Sequence, residues 1–540
     1  MKETLKKIAA LPPSDKEWTK VIALLVSGIL TGLCVSFDAL GVLEWVSLVP
    51  ALCVFFRAAA DSSIPLRRLY RYGLIFNYSF SVVLFHWFFY MYPLEFVGVT
   101  PVAALGIVLF ATLGLSLLQT VFAALFPVLL ALVSRGRIVK SHPFLQVVVM
   151  AGLWCVREWA QTLNWTGVPW GRLALGQAAM PVMLQTARLF GPYLITFILV
   201  LVNGCIAYAL LHTERRRLCA LVGLGVFTLQ FSLGGVLMLT DAHRSSNETY
   251  KVAAIQGNIG SADKWEATAA ESFDIYYRLT EQAALEGADV IVWPETAVPI
   301  KLKQYPEYME RLEMLAREHE AILLLGVFVK GGELGDYNAI VMIDETGGLY
   351  DGFYAKRHLV PFGEYVPLRP LIEVICPPIL ELSQLASGTT PGEDSAVFAT
   401  SIGGIGSMIC FDSIYEQLSL DSARDGAELI CISTNDSWFF DSAAVHMHNA
   451  QAKLRAIETG RFVVRAANTG VSSVITPTGK EIARLDALKE GIVTAEVEMR
   501  SDVTLYTRIG NLFVYLCMSG TALLLGERVW WAVRRNKKEK

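Results

Sequence analysis

GIGSMICF (404–411) is a short apolar run that closes on a thiol, Cys410. It reads as a strand, with a helix expected from about residue 414. Working outward, the same alternation repeats on both sides. Downstream, ELICISTN (428–435) reads as a strand and residues 443–459 as a helix, and FVVRAAN and GVSSVITP as late strands. Upstream, AILLLGVFV (321–329) is a strand preceded by a helix over 305–318. ADVIVWPE (288–295) is a buried strand that ends on a polar residue, after a helix over 266–286. KVAAIQGNI (251–259) opens the series, and YNAIVMID and LYDGFYAKR form a hairpin turning at Glu345–Gly348. Strands alternating with helices predict an α/β domain. Two sheet layers with helices outside fit the order.

The rest of the chain is of another kind. Of its 540 residues, 54 % are apolar and only 18 % charged, against about 25 % charged in a soluble domain. A bilayer span needs about 20 mostly apolar residues. Candidate spans lie near 21–37, 44–60, 72–91, 102–133, 143–162, 190–212, 218–240 and 509–532. The first reads as an uncleaved signal anchor. Basic residues alternate from loop to loop. They cluster after span two (Arg57, Arg67, Arg68, Arg71), span four (Arg135, Arg137, Lys140) and span six (Arg215, Arg216, Arg217), and in the tail beyond Arg534. The loops after spans one and three carry no Lys or Arg, and the loop after span five carries Arg172 and Arg188. The positive-inside rule then predicts about eight spans with both termini in the cytoplasm. The expected organisation is a transmembrane bundle over 1–240, an extracytoplasmic α/β domain over 241–508, and a last span with a basic tail over 509–540. In a bacterium that domain faces the periplasm from the inner membrane. His86, Arg157, Glu158, Glu527 and Arg528 fall in or near spans. Such groups serve function or pair within a bundle; pairing is the reading for Glu527 and Arg528, and both stay open for Arg157 and Glu158.

Composition excludes other classes. The net charge of −4, without a basic patch, gives no case for a nucleic-acid partner. The nine cysteines show no CxxC or metal-finger spacing, although a disulfide among Cys376, Cys410 and Cys431 stays open. His446 and His448 stand at i and i+2, which do not share a helix face, so no metal site is expected.

Three polar residues end or follow strands: Glu295 after VIVWP, Lys356 after LYDGFYA, and Cys410 after GIGSMI. Strand ends are where α/β folds gather reactive groups. A thiol attacks as thiolate; a carboxylate can take its proton, and an ammonium can stabilise the charge that develops. Each alone has a plainer reading, Cys410 as a small buried hydrophobe and Glu295 and Lys356 as surface charges.

The local strings carry more. QGNI (256–259) with KW (264–265), WPET (293–296), YAKRHLVPFGEYVP (354–367), ICFDS (409–413), STNDSWF (433–439), RAIETGRFVVRAANTGVSSVI (455–475) and TGVPWGRLALGQ (166–177) cover nearly the whole chain. Together they resemble the carbon–nitrogen hydrolase (nitrilase) superfamily, and more closely its membrane branch, the apolipoprotein N-acyltransferases. The resemblance implies a nitrilase-like αββα sandwich beside a membrane bundle, and no cofactor. It implies Glu295 as general base, Lys356 as stabiliser of the tetrahedral intermediate and Cys410 as nucleophile, with Glu364, Asp412 and Trp265 in support. Trp265 reads equally well as a core or interface aromatic. The family often shows Cys-Tyr-Glu where this chain has Cys410, Phe411 and Asp412.

The implied reaction is ping-pong acyl transfer. An acyl chain passes from a membrane phospholipid to Cys410, and then to the N-terminal amine of a diacylglyceryl-cysteine on an apolipoprotein. Eight spans suit a lipid donor and a lipid-anchored acceptor. The alternatives are a membrane-tethered amidase whose thioester is resolved by water, and a non-catalytic scaffold. The apolar segment 366–387 is expected to lie at the membrane surface and guard the acyl pocket, with Leu380 and Leu382 as its test positions.

Overall fold

The computed structural model describes residues 16–94, 99–242, 248–260, 269–375 and 388–538. Trp265, Cys376, Leu380 and Leu382 lie outside the described residues. By its contacts the chain divides into two units, one of Met1–His86, Leu109–Leu237 and Asn511–Lys540, the other of Trp87–Val108 and Met238–Gly510.

The first unit is helical. Seven described stretches are long and apolar enough to cross a membrane: Glu17–Ser36, Asp38–Ala60, Leu66–Met91, Pro101–Ser134, Pro192–Leu211, Thr213–Asp241 and Leu512–Arg534. The fifth expected span is the difference. Its helix, Leu145–Ala160, has 16 residues, about 24 Å at 1.5 Å per residue, against a hydrocarbon core of about 30 Å. It still runs beside the last helix from end to end. Arg137, just ahead of it, lies over the Trp531 ring at 4.7 Å. At its other end Trp159 meets Tyr515 at 5.9 Å.

Several buried polar groups of this unit have partners within it. Glu158 accepts from the Leu173 N–H at 2.9 Å and from the Thr196 hydroxyl at 2.7 Å. Arg157 lies over the Phe80 and Trp154 rings at 5.3 and 5.2 Å. Gln177 donates to Glu44 at 2.7 Å and accepts from the Trp45 indole at 3.0 Å. Glu158 and Gln177 thus hold both ends of the segment 173–177 inside the bundle. Arg528 donates to the Leu132 carbonyl at 2.6 Å.

The second unit holds two six-stranded sheets. The first is built from β1 (Tyr250–Gln256), β2 (Val290–Val292), β3 (Ile322–Val329), β4 (Tyr337–Ile343) and β5 (Tyr354–Ala355). The second is built from β6 (Val397–Thr400), β7 (Gly403–Ile409), β8 (Leu429–Thr434), β9 (Phe462–Ala467), β10 (Ser472–Ile475) and β11 (Glu481–Leu485); β12 (Gly491–Val497) returns to pair with β1. In each sheet a parallel trio, β1–β2–β3 or β7–β8–β9, is flanked by antiparallel strands.

Alternation along the strands explains the layers. Val252, Ala254, Val290, Val292, Ile322 and Leu324 point one way and meet Ile405, Ile409, Leu429, Cys431 and Val464 of the other sheet. Their neighbours Ala253, Ile255, Ile291, Leu323 and Leu325 point the opposite way, under the helices Ala269–Leu285 and Pro306–His319. The helices Glu416–Arg424 and Ala443–Thr459 pack on β7 and β9 of the second sheet. These are the two sheet layers with helices outside that fit the element order, in the αββα sandwich that the resemblance implied. Of the segment 366–387, the described part holds a helix, Arg369–Ile375, preceded by Leu368 and carrying Leu371 and Val374, all exposed.

Candidate active site

The sandwich brings the ends of β2, β7 and β8 together. Trp293 is fully buried after β2, and its indole donates to the Thr280 hydroxyl at 2.7 Å. Pro294 cannot extend the ladder, so the chain leaves the sheet at Glu295. From the other sheet, the Ser433 hydroxyl donates to the Trp293 carbonyl at 2.8 Å, tying the two strand ends together.

Glu295 and Lys356 meet directly. The Lys356 ammonium lies 2.8 Å from Glu295 Oε1 and 2.9 Å from Glu364 Oε2, and is 2 % exposed. Burial opposes its charge, but Glu295 and Glu364, with Cys410 beyond them, raise its pKa well above the ordinary lysine range. A residue the sequence reading did not single out binds both carboxylates. Asn338 of β4 donates one amide to Glu295 at 2.7 Å and to Glu364 at 3.0 Å. The Asn435 N–H donates to the second oxygen of Glu295 at 3.0 Å, and the Val360 N–H to Glu364 at 2.8 Å. Glu364 is thereby held against Lys356 by its own loop.

Cys410 follows β7 at the first position of a 3₁₀ turn, Cys410–Ile414. Its φ is +49°, a left-handed conformation that costs a non-glycine residue about 1–2 kcal/mol. The residue is partly exposed and is a free thiol rather than a half-cystine; Cys431 is also a free thiol, but fully buried. Burial of the thiol and the nearby Glu295 carboxylate push its pKa up, while Lys356 and a hydrogen bond with Thr434 pull it down; the rise wins. At rest Cys410 is a thiol within the fields of both Glu295 and Lys356.

Asp412 is fully buried and faces backbone, not the thiol side chain. It accepts from the N–H of His358 at 2.8 Å, of Arg357 at 3.2 Å and of Ile409 at 3.2 Å, and from the Tyr354 hydroxyl at 2.8 Å. Burial raises its pKa to about 6, against the pull of those donors and of Lys356. It joins the segment after Lys356 to the turn after Cys410. Phe411 brings no phenol; Tyr354 of β5 supplies one at this carboxylate instead. Phe411 packs edge-on against Tyr415 at 5.5 Å.

Beneath the turn, Asp436, His448 and Cys410 each bring a potential ligand atom within 4.8 Å of the others. Arg465 already pairs Asp436 at 2.6 Å, and Asp436 takes a His448 ring nitrogen at 2.8 Å. Those donors are engaged in one another rather than turned toward an ion. His446, by contrast, is half-buried and pairs with Asp441 at 3.1 Å.

The comparisons with known proteins agree with this architecture. Residues 251–504 match the carbon-nitrogen hydrolase family, and residues 27–205 match the apolipoprotein N-acyltransferase N-terminal domain. The chain is 32 % identical to an apolipoprotein N-acyltransferase of Methylococcus capsulatus, over 72 % of this chain and 75 % of that one. It belongs to the apolipoprotein N-acyltransferase family. A second member, from Geobacter metallireducens, is 29 % identical over 93 % of both chains. Among solved structures, an amidase from Nesterenkonia sp. shares 16 % identity with a TM-score of 0.38, covering 49 % of this chain and 95 % of its own. The family's two halves thus lie on the two kinds of structure seen here, membrane-length helices and a two-sheet sandwich.

Proposed function

We propose that this protein transfers a fatty acyl chain from a membrane phospholipid, through a thioester on Cys410, to the N-terminal amine of a diacylglyceryl-cysteine on an apolipoprotein. The observation that carries the reading is Lys356, held between Glu295 and Glu364 beside a partly exposed thiol. Membership of the family and the membrane-length helices support the substrate classes.

Glu295 takes the Cys410 proton as the sulfur attacks the ester carbonyl carbon. Negative charge develops on the carbonyl oxygen, and the Lys356 ammonium is placed to stabilise it. Glu364 and Asn338 hold Lys356 and Glu295 in register. Collapse breaks the ester C–O bond; the lysophospholipid oxygen leaves with the proton from Glu295, and the acyl group stays on sulfur. The α-amine of the acceptor then attacks the thioester carbon and gives a proton to Glu295. An amide forms, and Cys410 leaves and recovers its proton. Glu295 therefore alternates between base and acid, which a carboxylate touching an ammonium, an amide and a backbone N–H can do without moving.

Incubation of the full-length protein with phospholipid alone, followed by intact-mass measurement, tests this. The wild type is expected to gain one acyl mass and release lysophospholipid once, and Cys410→Ala to gain none. Continuous release of free fatty acid without an acceptor would show water resolving the thioester, as in a tethered amidase. Full lipoprotein maturation by Cys410→Ala would remove the covalent mechanism altogether.

A further inference from the structure

The helix Ala443–Thr459 carries His448 beneath the turn that presents Cys410. The ring is buried, and both nitrogens have close partners. Nδ1 lies 2.8 Å from Asp436 Oδ1. Nε2 lies 3.1 Å from the Cys410 carbonyl oxygen and 2.9 Å from the Ser413 hydroxyl. Ser413 donates its own proton to that same carbonyl at 2.7 Å. On the far side, Arg465 donates to Asp436 Oδ2 at 2.6 Å. Burial works against the Asp436 charge, but Arg465 and His448 hold its pKa below the ordinary range.

The protons follow from these partners. An ionised carboxylate and a backbone carbonyl only accept. A ring wedged between them satisfies both when each nitrogen carries a proton. With the proton on Nδ1 alone, the ring still satisfies Asp436 and Nε2 can accept the Ser413 proton, so His448 grips the Cys410 turn either directly at its carbonyl or through Ser413.

We infer that His448 is a positioning residue: anchored by Asp436, it clamps the turn at the Cys410 carbonyl and holds the left-handed conformation from which the thiol is presented. The inference rests on the reading of Cys410 as nucleophile. Its physical ground is the backbone. Cys410 sits at φ +49°, and such a residue keeps that conformation only where its surroundings over-determine it. Its carbonyl is the handle, gripped by His448 and Ser413 together. Released, the turn can relax and carry the sulfur away from Glu295 and Lys356. A His448 ring nitrogen also lies within 4.8 Å of the sulfur, so the clamp acts next to the reacting atom.

Two variants separate the clamp from mere packing. In His448→Gln the amide nitrogen can take the place of Nε2 and donate to the Cys410 carbonyl. In His448→Asn the shorter amide reaches Asp436 but not that carbonyl. The full-length proteins are given phospholipid, and acyl-adduct formation on Cys410 is followed by intact mass. Labelling of Cys410 by iodoacetamide is followed in parallel on the folded fraction. His448→Asn is expected to slow adduct formation by about tenfold or more, as misplacement of a reacting atom does, with KM for phospholipid unchanged and labelling slowed alongside. His448→Gln is expected to recover much of the rate. The inference is overturned if the Asn and Gln variants both acylate at the wild-type rate, or if both lose rate only as they lose folded protein while labelling of the folded fraction stays normal. A wild type that forms no adduct would overturn the Cys410 reading instead.

Discussion

At Cys410 the site holds a proton where its chemistry needs an anion. Burial and Glu295 raise the thiol pKa, and Lys356 works against them. A free thiol ionises near 8.5; one with a raised pKa stays protonated through neutrality and gains thiolate only at higher pH. Iodoacetamide labelling of Cys410 should therefore still be climbing at about pH 9, where free cysteine is already levelling off. The two neighbours have opposite signs. Glu295→Gln removes a charge that raises the pKa, so labelling at a given pH should become faster. The same change removes the base, so acyl transfer should fall by about 10²–10⁴-fold. Lys356→Met removes the charge that lowers the pKa, so labelling and acyl transfer should both fall. Labelling that slows in Glu295→Gln would mean that the carboxylate does not act on the thiol as its position requires. Lys356→Arg should not restore transfer, because the guanidinium is a wider, planar donor than the point charge fitted between Glu295 and Glu364.

Among the elements, β3 sets the height of the base. A Cβ at Gly326 would run into the Pro294 carbonyl and lie 3.0 Å from the Glu295 Cα. Ala297 also donates its N–H to the Gly326 carbonyl at 2.9 Å. Gly326→Ala should push residues 294–297 off β3 and tilt Glu295 away from Lys356. Overpacking of this kind costs about 1–3 kcal/mol of stability, and an ångström-scale shift at a reacting group costs about 10²-fold in rate. The expected variant is folded, with a lowered Tm and transfer reduced far more than its stability. A Tm loss with normal transfer by the folded fraction would show that β3 does not position Glu295. This scale also explains what was legible in the sequence. β7 and β8 are largely apolar runs, and their local patterns suffice. β6, β11 and β12 are short or half-exposed strands whose polar residues hide the alternation, and β12 pairs with β1 from the far end of the domain. Glu295, Lys356 and Cys410 were visible because each follows a strand. Asn338, Asn435 and Asp436 were not, because their importance lies in side chains that meet only after both sheets form. One signal for Asn338 was present, an amide inside the apolar run YNAIVMI that burial would oblige to find partners. His448 was read only beside His446, in setting aside a metal site, and only the fold buries the one fully and leaves the other half-buried.

For the whole molecule, the question is which side of the membrane the sandwich occupies. The basic loops alternate along the sequence, and contacts within the bundle gather them. Arg135, from the loop after the fourth span, donates to the carbonyls of Asp61 and Ile64 at 2.8 and 2.7 Å, in the loop after the second. Arg137 of the same loop lies over Trp531, close to the basic tail. Three of the four basic segments therefore share one end of the bundle, and the short helix Leu145–Ala160 leads away from that end toward Trp159 and Tyr515. Positive charge is retained in the cytoplasm, so this end is expected inside, and we propose from the alternation of the basic loops along the sequence that the domain over 241–508 is extracytoplasmic. The prediction is made for intact cells with single added cysteines and a membrane-impermeant maleimide. A cysteine at the exposed Glu333 of the sandwich should label at once. A cysteine at the exposed Arg67, between the second and third spans, should label only after the cells are permeabilised. Reversed labelling would invert the topology. It would also remove the reason for the acceptor to be a lipoprotein outside the cell, while leaving the chemistry at Cys410 untouched.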